Sequence, residues 1–320
     1  MSFFAAEIDG PLVLTRAIHF AASATVAGVL TFRGLVAQPA LRPSPEGYAI
    51  VQARLVGLTW AGLAVAVATG ILWLTLETMM LAGVAFGEAI RSGAMLVVVN
   101  ETQFGLVSEI RGGLAVVLAA CLMLDRFALA RWVGLAAGLS LVAAIAWTGH
   151  AGATLGGLGD LHLAADGLHL LAASAWIGGL AGLSVLFAVG RRRPAPGWGP
   201  LQFDAVGRFS ILGIVSVAAL IASGAVNTWI LVGSVRALLV TDYGRLLLVK
   251  FAAFIIMVSL AAVNRVSLTP RLVAGVKSGA EPNALAALKR NTLVEIALGL
   301  AIFAIVGVLG TLHPAIHLVE

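Results

Sequence analysis

Long apolar segments alternate with short polar ones along the whole chain. Eight of the apolar segments are long enough to cross a bilayer, because a membrane-spanning helix needs about 20 residues. They lie at residues 12–33, 52–76, 104–124, 131–150, 164–189, 209–233, 244–263 and 291–312. The pattern predicts an all-α polytopic membrane protein, a bundle of about eight transmembrane helices in a single membrane domain over residues 1–320. It shows no strong internal repeat.

The segment 77–103 separates the second and third apolar segments and is too polar to be a ninth span. It contains Glu77, Glu88, Arg91, Asn100 and Glu101. We expect this segment to lie at the membrane interface or to fold over the mouth of the bundle. The first apolar segment is predicted to be retained, since acids and no basic residues precede it, unlike in a signal peptide.

The overall composition agrees with a membrane protein. Apolar residues make up 60% of the chain and charged residues 11%, whereas soluble domains contain about 45–50% and about 25%. A soluble enzyme on a single anchor is therefore excluded, because too few polar residues remain to cover a water-facing domain. The single cysteine, Cys121, excludes a disulfide-built protein and a paired-cysteine metal site.

The few charges are distributed asymmetrically between the two ends of the predicted bundle. The formal net charge is +5, and most of the 20 basic residues fall in alternate connections between spans. These are Arg33, Arg42, Arg54, Arg126, Arg131, Arg191, Arg192, Arg193, Arg208, Arg265, Arg271, Lys277, Lys289 and Arg290. We expect that side to be cytoplasmic, so that both termini face outward, which in a bacterial inner membrane is the periplasm. The basic charge thus indicates topology in a lipid bilayer and not a nucleic-acid partner.

Most acids fall on the opposite, outward side. They are Glu7, Asp9, Glu77, Glu88, Glu101, Asp160, Asp166 and Asp242. All six histidines also map to that side, namely His19, His150, His162, His169, His313 and His317. Imidazole is a ligand for copper, zinc, iron and nickel, so the distribution indicates a metal-binding outer mouth.

One stripe of residues in the fifth predicted helix sharpens this hypothesis. His162, Asp166, His169 and Trp176 follow one another at intervals of four, three and seven, which places them on one helix face. The stripe could offer two imidazoles and a carboxylate to one ion. The alternative is that a histidine at the membrane boundary is simply a polar residue that faces water.

The remaining candidate ligands come from other segments. We predict a metal site drawn from His169, His19, His150, His162 and Asp166, with Met79 and Met80 as soft thioether ligands for Cu(I). For His313 and His317 the alternative is a tail with no ligand role. For the two methionines the alternative is plain packing.

Several polar residues fall inside the apolar segments, where unsatisfied polar groups are costly. Lys250 lies in the outer half of its span and Glu295 in the inner half of another, and each fits either an ion path or a structural ion pair. Asn227 and Asn264 are predicted to form interhelical hydrogen bonds. The GxxxG pair of Gly178 and Gly182 predicts close helix packing.

Several segments of the second half resemble the copper resistance protein D (CopD) family of bacterial inner-membrane proteins. The segments are HLLAASAWIGGL at 169–180, RFS at 208–210, SGAVNTW at 223–229, TDYGRLLLVK at 241–250 and NR at 264–265. The closest resemblance covers residues 160–275, and the eight-span layout agrees elsewhere. The resemblance implies an inner-membrane protein linked to copper resistance and to copper uptake, with His169 inside the shared motif. It also implies a periplasmic copper-binding partner of the CopC type, here as a separate chain.

Three functions remain open from the sequence. The first is a transporter that takes up copper ions from the outer mouth. The second is a b-type haem electron carrier or oxidoreductase, with an axial pair drawn from His19, His150 and His169. The third is an accessory factor that binds copper without transporting it.

Overall fold

The computed structural model describes residues 9–192, 197–271 and 282–318 of the chain. Eight of its helices are long and apolar enough to span a membrane. They are α1 (Gly10–Ala40), α2 (Pro45–Ala82), α3 (Gln103–Met123), α4 (Ala128–Thr148), α5 (Gly156–Arg192), α6 (Trp198–Val232), α7 (Asp242–Arg271) and α8 (Ala284–Leu309). Each coincides with one predicted span, so the predicted fold class is confirmed. Several helices extend well beyond the apolar segment that predicted them.

Local sequence signals set where these helices begin and end. The Asp9 carboxylate accepts a hydrogen bond from the backbone N–H of Leu12 at 3.1 Å and caps α1. Ser44 caps α2 in the same way, just ahead of Pro45. Gly83 ends α2 with a φ of 65°, a left-handed conformation that favours glycine.

The segment 77–103 contains no ninth span. Helix α2 continues through its first residues, and two short helices follow at Phe86–Arg91 and Ala94–Glu101. A third short helix, Val235–Val240, lies at the same end of the bundle, before α7. These short elements occupy connections between spans at that end.

Helices α1 and α5 form the centre of the bundle. Helix α1 packs against α2, α4, α5 and α8, and α5 packs against α6, α8, α1 and α4. The two helices cross where a Cβ on Gly28 would lie 2.6 Å from the Cα of Gly178. A Cβ on Gly182 would lie 2.5 Å from the ring of Phe32. The close packing predicted from Gly178 and Gly182 is thus confirmed, and it is made against α1.

Side-chain contacts on α1 and α5 reveal a structural repeat between the two halves of the bundle, which the sequence does not show as a strong repeat. His19 and Gly28 on α1 are nine residues apart, as are His169 and Gly178 on α5. The side chain of His19 contacts Thr69 of α2, and that of His169 contacts Ser223 of α6. In both cases the next residue is a glycine that lies beside the imidazole. The half α1–α4 therefore corresponds to the half α5–α8.

The third helices of the two halves match most closely. Helix α3 begins with TQFGLVSEIR at 102–111, and α7 begins with TDYGRLLLVK at 241–250. Thr102 and Thr241 cap their helices by accepting from the N–H of the glycine three residues later, at 2.9 and 3.0 Å. A short helix precedes each cap. Both segments end in a cation, Arg111 or Lys250, at the same position.

The two halves pack as related units. Helix α1 contacts α8, and correspondingly α5 contacts α4. Because each half has four spans, both cross the membrane in the same direction, which makes the pseudo-two-fold axis parallel to the bundle. The repeat is weak in the sequence because most matched positions carry different residue types, such as Thr69 and Ser223.

All six histidines lie toward one end of this bundle, where α1 and α5 begin and α4 and α8 end. We call this the histidine end. The described basic residues of the predicted cytoplasmic connections lie toward the opposite end, which we call the basic end. Glu7, Arg193 and Lys277 lie outside the described residues.

Candidate functional site

His19 occupies a polar pocket inside the first half. Its Nδ1 lies 3.0 Å from the hydroxyl of Thr69, and that hydroxyl donates its own proton to the carbonyl of Val65 at 2.7 Å. The hydroxyl therefore accepts from Nδ1–H, which leaves Nε2 as the unprotonated nitrogen. Arg111 of α3 donates a hydrogen bond to Nε2. Both nitrogens of this buried imidazole are thus engaged.

Aromatic rings and a second cation surround the pocket of His19. The Arg16 guanidinium lies 4.9 Å from the ring centroid of Trp73, and Trp73 donates to the Glu77 carboxylate at 3.0 Å. Phe104 contacts the same indole. Arg111 is held from a second side, since its Nε donates to the carbonyl of Leu141 at 3.2 Å. The pocket is therefore cationic and closely packed.

His169 occupies the matching pocket of the second half. Its Nδ1 lies 3.0 Å from the hydroxyl of Ser223, which itself donates to the carbonyl of Ala219 at 2.6 Å. One turn earlier on α5, Asp166 accepts from the side-chain amide of Asn227 at 3.1 Å. Lys250 of α7 interacts electrostatically with both Asp166 and His169. This pocket thus combines a carboxylate, an imidazole and an ammonium group.

His150 lies in the connection between α4 and α5, nearer the histidine end. Its Nε2 contacts the carbonyl of Leu309 at 3.4 Å, and its ring packs edge-on against Tyr243. Burial lowers the pKa of His150, and the charges of Arg16, His313 and His317 act in the same direction, whereas the contact with Leu309 opposes them. His150 is therefore a neutral imidazole at pH 7, the form that binds metal ions.

His162, near the start of α5, is buried and has a defined partner. Its Nδ1 lies 2.8 Å from the hydroxyl of Thr154, which donates to the carbonyl of His150 at 3.0 Å. The His162 ring also interacts electrostatically with His150. Thr154 thus links the imidazole of His162 to the backbone carbonyl of His150.

The predicted ligand set is divided among separate places. His19 lies in the first-half pocket, Asp166 and His169 lie in the second-half pocket, and His150 and His162 lie nearer the end of the bundle. Met79 and Met80 are at the end of α2, with 59% of Met80 exposed. Across residues 9–192, 197–271 and 282–318, no group of three or more histidine, cysteine, aspartate or glutamate side chains is placed to hold a metal ion. His162, Asp166, His169 and Trp176 all lie on one continuous helix, α5, as their spacing predicted.

The histidines considered as a haem pair are also separated. His19 bonds to α2 and α3, His169 bonds to α6, and His150 contacts α8. Within the described part of the chain, no two of these three imidazoles are in ring contact with each other. The first two rings face the interiors of different halves.

The second half of the bundle also contains a network of polar side chains near the basic end. The sequence did not show which residues in it bond to each other. Glu295 of α8 is 1% exposed and accepts from the side-chain amide of Asn264 of α7 at 2.8 Å. Asn264 in turn accepts from Asn291 at 2.8 Å, and Trp176 of α5 also bonds to Glu295. The interhelical hydrogen bonds predicted for Asn227 and Asn264 are confirmed. Their partners lie too far away in sequence for spacing to identify them.

Comparison with known proteins places these features in a family. A family model described as "Copper resistance protein D" matches residues 203–309, and one described as "Copper resistance protein D-like, N-terminal domain" matches residues 7–160. The N-terminal model covers α1–α4, and the other covers α6–α8. No solved structure matches the chain.

Curated relatives agree with the family models. The chain is 31% identical over 232 residues to copper resistance protein D of Pseudomonas syringae pv. tomato. The aligned region covers 71% of this chain and 73% of that protein. It is 30% identical to copper transport protein CutJ of Bacillus subtilis, over 61% of this chain and 36% of CutJ. It is 31% identical to inner membrane protein YebZ of Escherichia coli, over 53% of this chain and 55% of YebZ.

The eight apolar helices and these relatives identify a multi-pass protein of the inner membrane. The resemblance noted in the second half is confirmed, and it extends to the first half. The chain belongs to the copper resistance protein D family of copper-handling membrane proteins.

Proposed function

We propose that the protein takes up copper ions across the inner membrane and captures them at the histidine end, which faces the periplasm. One observation carries the proposal: all six imidazoles lie toward the same end of the bundle. Four of them are close enough to interact electrostatically through His150. They are His150, His162, His313 and His317.

The chemistry of this end suits capture of copper. Imidazole nitrogen binds both common oxidation states of copper, and thioether sulfur favours Cu(I). His150 is neutral at pH 7 because burial and neighbouring cations lower its pKa. In this proposal His150 and His162 receive the ion first, with Met79 or Met80 assisting a Cu(I) ion at the rim.

Buried polar groups of the second half support an inward route. Asp166, Asn227 and His169 lie deeper than His162 along α5 and α6, and Glu295 with Asn264 lies nearer the basic end. Polar side chains inside a membrane bundle are costly, and they commonly mark pathways for ions. We propose that copper passes along this half and that a separate periplasmic protein of the CopC type delivers it.

The names of two relatives are consistent with this function, since one is a copper resistance protein and another a copper transport protein. Uptake of copper into proteoliposomes is the direct test. The wild-type protein is expected to import copper added on the side of the histidine end, and the double variant His150→Ala/His162→Ala to import much less. Ser92→Ala, at the same end, is the matched control and should import like wild type.

Equal import by the wild type and the double histidine variant would contradict capture at these residues. Binding of copper with no import by the wild type would leave an accessory copper-binding role in place of transport. An absorption spectrum of the same purified protein separates the haem alternative, because a Soret band would favour a haem carrier.

A further inference from the structure

The two halves contain equivalent imidazole pockets that differ in one decisive respect. In the first half, Arg111 donates to Nε2 of His19 and is fixed by a second hydrogen bond to Leu141. The lone pair of that imidazole is therefore occupied. No ion can bind His19 through Nε2 unless the guanidinium is first displaced.

In the second half the corresponding lone pair is open. The Ser223 hydroxyl donates to the carbonyl of Ala219, so it must accept from Nδ1–H of His169. This assigns the proton to Nδ1 and the lone pair to Nε2. Within the described residues, Nε2 of His169 forms no hydrogen bond, although Lys250 stands where Arg111 stands in the first half.

Two further oxygen acceptors belong to the same pocket. Asp166 precedes His169 by one turn on the same helix face. Asn227 donates to Asp166 through its amide nitrogen, while its own amide oxygen is buried without a partner among the described residues. A buried carbonyl oxygen without a donor is unfavourable, and a cation would satisfy it.

The first half could not hold a cation at the same place. The positions that match Asp166 and Asn227 are occupied by Arg16 and Trp73, which form a cation–π contact. A guanidinium thus replaces the carboxylate, and an indole replaces the amide. At this point the first half therefore presents a cation and an aromatic ring where the second half presents two oxygen acceptors.

Resting on the proposed copper function, we propose that the chain has one intramembrane copper site, in the second half. Its ligands are Nε2 of His169, the carboxylate of Asp166 and the amide oxygen of Asn227. Lys250 has a flexible side chain without a hydrogen bond to His169, so it can swing aside, whereas the planar guanidinium of Arg111 holds the first-half imidazole closed. The two equivalent halves thus differ, because Nε2 of the imidazole is open to an ion in the second half and closed in the first.

The exchange of Lys250 and Arg111 tests this inference. Copper binding is measured on the purified full-length protein in detergent, by competition with a chromophoric chelator for Cu(I) and separately for Cu(II). Lys250→Arg rebuilds the contact of the first half and should weaken one binding equivalent by roughly 10–100-fold. Lys250→Met removes the cation and should retain that equivalent. His169→Ala should lose it.

The matched variants of the first half are Arg111→Lys and His19→Ala. Both should retain the full number of copper equivalents, because Arg16 and Trp73 remain in place. The inference is overturned if Lys250→Arg binds copper like wild type, or if His19→Ala loses the same equivalent. Melting temperatures show which variants are folded. If Lys250→Arg does not fold, the comparison of Lys250→Met, which should retain the copper equivalent, with His169→Ala, which should lose it, still tests the site.

The same variants, tested also in the import assay, separate this inference from the proposed function. If the wild type imports copper and His169→Ala and Lys250→Arg import it equally, only the second-half site is wrong. If the wild type neither binds nor imports copper, the proposed function itself fails.

Discussion

Gly28 of α1 and Gly178 of α5 face each other where the two central helices cross. A Cβ on Gly28 would lie 1.9 Å from the carbonyl oxygen of Ser174, and a Cβ on Gly178 would lie 2.7 Å from that of Ala24. Each glycine thus meets the carbonyl four residues before its counterpart. This reciprocal pattern is typical of an isologous two-fold contact, here between two halves of one chain.

The crossing leads to the first prediction, the effect of Gly28→Ala. The new methyl group would collide with the backbone of α5, so the two central helices must separate. We expect the free energy of unfolding to fall by about 1–3 kcal/mol, measured by thermal unfolding in detergent. Gly112→Ala on α3 is the control, because no atom lies within 4 Å of its added Cβ. An unchanged stability of Gly28→Ala would contradict the close crossing.

The second prediction concerns the protonation of the two intramembrane imidazoles. Thr69 and Ser223 both donate their hydroxyl protons to helix carbonyls, so each accepts from an imidazole Nδ1–H. We expect His19 and His169 both to be neutral and protonated on Nδ1. Nitrogen-15 NMR of labelled histidines in lipid measures this directly, with His19→Ala and His169→Ala for assignment. Protonation on Nε2 of either ring would contradict the assigned hydrogen bonds.

The sequence predicted the spans and the side of the histidines, but it did not predict the pockets. Apolar length identifies a membrane helix, and the four-three-seven spacing placed His162, Asp166 and His169 on one face of α5. Their partners are set by the rotation and packing of neighbouring helices. Ser223 lies 54 residues from His169, and Thr69 lies 50 residues from His19.

The structural repeat is weak in the sequence for a related reason. Equivalent roles are filled by different residues, such as Arg111 and Lys250, which preserve a positive charge and change the reach of the side chain. The glycine pair at the crossing is identical, but glycines are so numerous in this chain that two of them carry little information. Side-chain partners in the structure make the equivalence evident.

The third prediction is a pH dependence that arises from His150. Its pKa is lowered in the folded protein, chiefly by burial. As the pH falls, the His150 imidazole is therefore protonated in the unfolded chain before it is protonated in the folded protein. The contribution of His150 to the free energy of unfolding is full above the ordinary pKa of about 6.5, and it is lost as the pH falls toward the lower pKa of the folded protein. We expect His150→Gln to lose less stability than wild type between pH 7.5 and 5.5, measured by unfolding at each pH. Parallel profiles would contradict this.

The fourth prediction is the orientation of the bundle. The basic end is expected in the cytoplasm, since basic connections are retained there. Alkaline phosphatase, which is active only in the periplasm, should therefore be active when fused after residue 320 and inactive when fused after Arg126. The reverse result would invert the proposed direction of copper capture and leave the fold unchanged.

The fifth prediction concerns the buried network of Glu295 and Asn264. Asn264→Ala removes a donor from Glu295, which keeps only its bond to Trp176, and leaves the buried side-chain amide of Asn291 without its acceptor. We expect Asn264→Ala and Glu295→Ala each to cost about 1–3 kcal/mol of stability. The double variant should cost less than the sum by about 0.5–3 kcal/mol, because the two residues contact each other.

A distant pair provides the control for this double-mutant cycle. Asn264→Ala combined with Thr69→Val places the second change in the other half and toward the histidine end, so the two effects should add to within about 0.5 kcal/mol. Glu295→Gln should cost less than Glu295→Ala, because its amide oxygen can still accept from Asn264. Simple additivity of Asn264→Ala with Glu295→Ala would mean that the hydrogen bond between α7 and α8 contributes nothing to stability.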